Sequence, residues 1–218
     1  MWVAGLVPLG ATVFSVIYGL KYFFKKGRPL CLQSLTMAMA SHALSSVYQI
    51  CLLLTSKTMV EGFTPAHLGR IGFFLFLLTS SYGQLDRIVD DGSPNMRRAR
   101  IVALIAPLLA VLLYVQNALI EGALLSTKIV YAFVWIPAVF SVYFNLKHAI
   151  IPDLDFGFIK AIKPYNLFVL LLSFSELLCL TAWNYASLIP TGIAAFAFGV
   201  LCICTMIYAK KGVEKWTI

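Results

Sequence analysis

The chain has 218 residues, of which 61% are hydrophobic and only 12% charged, and it carries a net charge of +8 at pH 7. Soluble domains hold about twice that charged fraction, so a water-soluble enzyme or binding module is excluded and a polytopic membrane protein is expected. The positive charge does not point to nucleic acid, since the sequence offers neither a basic face nor a fold to present one.

A helix needs about 20 mostly apolar residues to cross the hydrocarbon core, and seven stretches meet or approach that length. The first, Trp2 to Phe24, has its basic residues around and behind its end at Lys21, Lys25, Lys26 and Arg28. A cleaved signal peptide has them in front, so this stretch is expected to remain as a span. The second and third run from Leu30 to Leu54 and from His67 to Gln84. A fourth and shorter one, Ile101 to Gln116, is followed by Thr127 to Ile150, Tyr165 to Trp183 and Ile189 to Tyr208. The connections between them are short. The expected architecture is therefore all-α, a single domain over 1–218 made of seven transmembrane helices.

Seven spans put the two ends of the chain on opposite sides, and the distribution of Lys and Arg decides the orientation. One side collects Lys21, Lys25, Lys26, Arg28, Arg87, Arg97, Arg98, Arg100, Lys147, Lys160, Lys163, Lys210, Lys211 and Lys215. The other holds Lys57, Arg70 and Lys128. The N-terminus is accordingly expected outside and the C-terminus in the cytosol, with the cell membrane as the expected location and acidic lipids of the inner leaflet as counterions. The five cysteines lie in or beside helices without the spacing of a disulfide framework or a zinc site, and they read as small apolar residues.

Val13, Phe14, Ser15, Val16, Leu20 and Lys21 of the first span recur as Val139, Phe140, Ser141, Val142, Leu146 and Lys147 in the fifth. One reading is two parallel three-helix repeats, with the fourth helix returning the second copy to the orientation of the first. A different offset brings Ser41 and His42 over Ser175 and Glu176. The three-one-three layout resembles that of sugar-efflux and PQ-loop transporters, and also that of microbial rhodopsins. The chain departs from both patterns, having no Pro-Gln pair and no interior lysine in the seventh span.

Ionisable side chains inside a membrane are costly and mark function by default. Glu176 stands within the sixth span and His42 within the second, and they form the expected site for a proton or a small-molecule ligand, with Glu176 binding and His42 as its partner. The ordinary alternative is an interhelical hydrogen bond that locks the bundle. Tyr48 and Gln49, Gln84, Tyr131 and Trp135, and Asn145 are candidates to line the same cavity, as aromatic walls with a few polar groups suit a small organic ligand. Pro137 is expected to free a backbone carbonyl and kink the fifth helix.

The connection from Asp86 to Arg100 gathers acids (Asp86, Asp90, Asp91) and then bases (Arg97, Arg98, Arg100). Mutual neutralisation across the turn is the ordinary reading. A lipid head group or a cytosolic protein partner is the functional one, and no metal or cofactor is expected. The chain has no Gly-x-Ser-x-Gly elbow, no His-Glu-x-x-His and no phosphate-binding glycine loop, which argues against catalysis. The leading functional expectation is a small-solute or proton-coupled transporter with a polar midplane site. The alternative is a ligand-sensing receptor or regulatory subunit that signals through residues 86–100. Nothing in the sequence sets an oligomeric state.

Overall fold

Where no water reaches the backbone, each long apolar stretch has to close its own hydrogen bonds, and it does so as a helix. The structure, a computed structural model, describes residues 2–24, 30–55, 63–86, 92, 94–119, 125–150, 157–184 and 188–216. In chain order these form α1 (Trp2–Phe23), α2 (Leu30–Thr55), α3 (Pro65–Leu78) and a π-helical stretch (Thr79–Asp86), then α4 (Pro94–Ala103), α5 (Ile105–Ala118), α6 (Leu125–Ala149), α7 (Gly157–Asn184) and α8 (Leu188–Trp216). They make seven rods, because α3 runs on into the π stretch and α4 into α5. Six helical stretches are long and apolar enough to cross a membrane. The third rod, from Pro65 to Asp86, is the exception and changes its winding part of the way along.

Two local features follow from proline. Pro65 opens α3 directly after Thr64, whose backbone is extended at φ −126° and ψ 157°, and the first helical position is where a missing N–H costs nothing. Pro107 has no N–H to offer the carbonyl of Ala103, and the ladder breaks there into α4 and α5. Bonds from Leu104 N–H to the Ile101 carbonyl and from Leu108 N–H to the Leu104 carbonyl, both 3.1 Å, carry the rod across the gap.

The fourth rod is longer than its apolar stretch suggested. Arg97, Arg98 and Arg100 were expected in a loop, but they lie on α4 and extend the rod beyond the hydrocarbon-like segment. The sixth rod likewise begins at Gly157, ahead of the expected Tyr165. Hydropathy reports where lipid begins and ends, whereas a helix continues for as long as its backbone bonds are satisfied.

Neighbouring rods form a closed ring in the order α1, α2, α3, α6, α7, α8 and back to α1, with α5 outside it against α6 and α7. In this order α1 stands opposite α6, α2 opposite α7 and α3 opposite α8. Two parallel trios would produce the same neighbours. Exposed Ile101, Leu104, Leu108 and Leu112 face outwards from the fourth rod, while His42, Ser45, Asn145, Ser173 and Glu176 are buried. This distribution suits hydrocarbon surroundings, with polar groups turned towards each other. Phe73, Phe74, Leu77, Leu35, Met39, Leu172 and Phe198 fill the centre.

The contact of α3 with α2 is close. A Cβ on Gly69 would fall 2.6 Å from the Ser41 carbonyl oxygen and 2.7 Å from Ser45 Cβ. Ser45 Oγ donates to the Ala66 carbonyl at 2.7 Å across the same seam. Small residues in membrane helices allow such approach, and here it sets the position of the side chain that follows Gly69.

Candidate functional site

On α2, residues 42, 45, 46 and 49 are spaced at helical intervals of three, four and seven, so His42, Ser45, Ser46 and Gln49 share one face. His42 is 3% exposed. Its ring stacks on Phe198 at 4.4 Å between centroids and meets Phe73 edge-on at 5.1 Å. Nδ1 lies 3.3 Å from Ser46 Oγ. Nε2 lies 3.0 Å from Glu176 Oε2 without the direction of a good hydrogen bond, so this is a contact of charge and dipole.

Glu176, only 2% exposed, receives a second basic group. Arg70 donates from Nε to Glu176 Oε1 at 3.0 Å and from Nη2 to Gln49 Oε1 at 2.8 Å. Three helices of the ring, α2, α3 and α7, therefore meet at one carboxylate. An unpaired charge at this depth would cost several kcal/mol; a guanidinium and an imidazole on its two oxygens remove most of that penalty. The carboxyl thus has the guanidinium of Arg70 against it as well as the imidazole of His42. Glu176 stands eight residues before the end of α7 at Asn184, about 12 Å at 1.5 Å per residue. The cluster is nearer the expected outer face than the inner one.

Arg70 is the residue that sequence reasoning missed. It was taken as one of three charges on the outer side, yet it lies five residues inside α3, with its side chain 13% exposed. A usable signal was present: Pro65 marks a helix start, and Arg70 follows it by more than a turn, with no other charge until Asp86.

The other candidates lie in different places. Tyr48 is half-buried on α2, and no described contact brings it to Glu176. Tyr131 meets His67 edge-on at 5.6 Å and Trp135 at 5.8 Å. Trp135 donates from Nε1 to the Ala110 carbonyl at 2.9 Å and so ties α6 to α5. Beside it an apolar groove of about 230 Å³, bordered by Val111, Tyr114, Ile136 and Phe140, opens between these helices. None of the groups around Glu176 lines it. Pro137, expected to kink the fifth rod, sits within a helix that continues past it to Ala149.

Asn145 belongs to the opposite end of the bundle. Its Oδ1 accepts from Ser81 Oγ at 2.9 Å, and its Nδ2 donates to the Ser141 carbonyl at 2.7 Å. One turn further on, Asp86 closes the π stretch just beyond the expected third span. It pairs with Lys147 and lies 3.0 Å from His148 Nε2. Partial burial raises the Asp86 pKa, but hydrogen bonds from His148 and Lys147 and their charges outweigh it, and the carboxyl lies below its ordinary 3.8. Asp86 therefore takes its partners from α6, where the sequence suggested arginines across the turn. Arg97 and Arg98 are exposed on α4, and Arg100 is half-buried. Asp90, Asp91 and the side chain of Gln84 lie outside the described residues.

Among the described residues no three His, Cys, Asp or Glu side chains come together as a metal site would require. Comparison of the chain with protein-family models, curated protein sequences and solved structures gives no match.

Proposed function

We propose that this multi-pass helical bundle is a proton-coupled carrier of a small solute in the cell membrane, with Glu176 as the proton-accepting group. The observation that carries the reading is a buried carboxylate shared by α2 and α3 of one trio and α7 of the other. In a carrier built from two trios, the site sits between them and the halves rock around it. Protonating Glu176 removes its charge, releases Arg70 and His42, and loosens the link between the halves at the place where motion is needed.

Counterflow in liposomes with a panel of metabolites tests this. At least one solute should exchange, and its movement should lose its pH response in Glu176→Gln and weaken in His42→Ala. Folded variants that behave as the wild type for every solute would sink the idea.

A second reading, a ligand sensor that addresses a cytosolic protein partner, draws on the inner end. There Asp86 ties the third rod to α6 while Arg97 and Arg98 stand exposed on α4. A partner that no longer binds when Arg97 and Arg98 are both changed to alanine, together with an absence of counterflow, would favour it.

A further inference from the structure

We infer that the solute is a small organic anion, held through its carboxylate by the guanidinium of Arg70 at the moment Glu176 takes up the proton. The inference rests on the carrier reading and names its substrate class.

Arg70 has five N–H donors in a planar fork. One donor is given to Glu176 and one to Gln49; among the described residues none of the remaining three has a partner. At 13% exposure its side chain is also more open than the Glu176 carboxylate at 3%. The open donors belong to the more accessible member of the pair.

Charge then selects the ligand. A cationic solute would have to displace both a guanidinium and an imidazole from Glu176. A neutral one would leave the ion pair as it is and gain nothing from a proton. An anion fits the exchange: once Glu176 is neutral, Arg70 is a buried cation without a counterion, which is strongly unfavourable, and a carboxylate on its free edge restores the balance. The site begins as Arg70⁺ with Glu176⁻ and ends as Arg70⁺ with protonated Glu176 and bound carboxylate, so its net charge is unchanged. One proton and one anion cross together, and no covalent bond forms or breaks beyond the O–H on Glu176.

Two neighbouring features fit this use. Gln49 holds Nη2 independently of Glu176 and keeps the fork oriented when the carboxylate lets go. One turn before Arg70, His67 stacks on Phe63 at 6.2 Å and meets Tyr131 edge-on at 5.6 Å, which gives an aromatic rim for the apolar body of an acid. The titratable groups around Glu176 are His42 of α2 and Arg70 of α3, with the thiols of Cys179 on α7 and Cys202 on α8 nearby. The thiols carry no charge that would replace the anion.

The test uses the full chain in liposomes with an internal pH dye and labelled pyruvate, lactate and benzoate, against choline as cation and glucose as neutral solute. The expected result is net carboxylate uptake, above that of protein-free liposomes, that acidifies the lumen and does not respond to a potassium–valinomycin potential. Arg70→Lys, which keeps the charge but loses the fork, should weaken carboxylate affinity roughly tenfold or more, and Arg70→Gln should abolish it. Carboxylate binding, read from thermal unfolding, should lose its pH dependence in Glu176→Gln. If Arg70→Gln does not fold, Arg70→Lys and the charge balance of the wild type decide. Flux of choline or glucose but of no carboxylate overturns the anion while the carrier stands, and a carboxylate flux that follows the membrane potential overturns the paired crossing. Folded wild type that moves none of the five solutes overturns both.

Discussion

The two ends of the bundle use the same three ingredients, one carboxylate, one imidazole and one stronger base, to different effect. At the outer end Glu176, His42 and Arg70 come from three helices, and the carboxylate side chain is 3% exposed. At the inner end Lys147 and His148 are neighbours on α6, and Asp86 is 20% exposed. Burial makes the first cluster obligatory, because Glu176 or Arg70 left alone is a stranded charge. The second keeps access to water as an alternative partner. The third rod enters both, giving the base at one end and the acid at the other, so its placement is shared between a deep lock and a shallow one.

The contrast breaks most readily at Arg70. Arg70→Gln should cost about 3–5 kcal/mol, since it leaves the Glu176 charge buried beside the imidazole alone; pairing it with Glu176→Gln should restore most of that loss. Thermal unfolding of the four proteins in one detergent measures this, and simple additivity of the two changes would mean that the pair is not coupled. Next comes the seam that delivers Arg70: Gly69→Ala forces a Cβ onto the Ser41 carbonyl and should cost about 1–3 kcal/mol, with a greater loss of solute binding than of helix content. A smaller effect is expected away from both clusters. Trp135→Phe removes the bond to the Ala110 carbonyl and should lower stability by about 0.5–1.5 kcal/mol while leaving the pH response of solute binding unaltered. A change in that response would connect the α5–α6 contact to the site.

The smallest change should come from Asp86→Asn, and it sharpens the comparison through pH. The folded carboxyl lies below its ordinary 3.8, so its contribution is complete above that value and is lost as pH falls through the folded one. As pH falls below 3.8 and through the folded value, the wild type should therefore lose more stability than the variant. Parallel acid melting curves would show instead that water already does the work of Lys147 and His148.

Much of the architecture was legible because lipid reads composition directly. The stretch from Leu30 to Leu54 differs from α2 by a single residue at its end, and the uncharged runs of the fifth and seventh rods marked themselves similarly. The helical state of Arg97, Arg98 and Arg100 was not legible, since it depends on the fourth rod continuing past the point where hydropathy ends. Glu176 and His42 were visible as polar interruptions in apolar stretches. Arg70 was hidden by its position near a helix start, where a charge is easily assigned to the loop, and its partners, 21 and 106 residues away, have no local trace. Nor does the sequence from Thr79 to Asp86 carry a mark of its winding.

That winding has a consequence of a different kind. A π turn closes on the fifth residue instead of the fourth, and each residue added to or removed from a rod turns everything beyond it by about 100°. The eight residues from Thr79 to Asp86 let the third rod change heading within itself, so that Arg70 and Asp86 face partners chosen independently. In genetic terms, loss of one codon in this stretch would leave the rod standing and its outer end undisturbed, yet swing Asp86 away from Lys147. The chain's length at that point is itself an instruction.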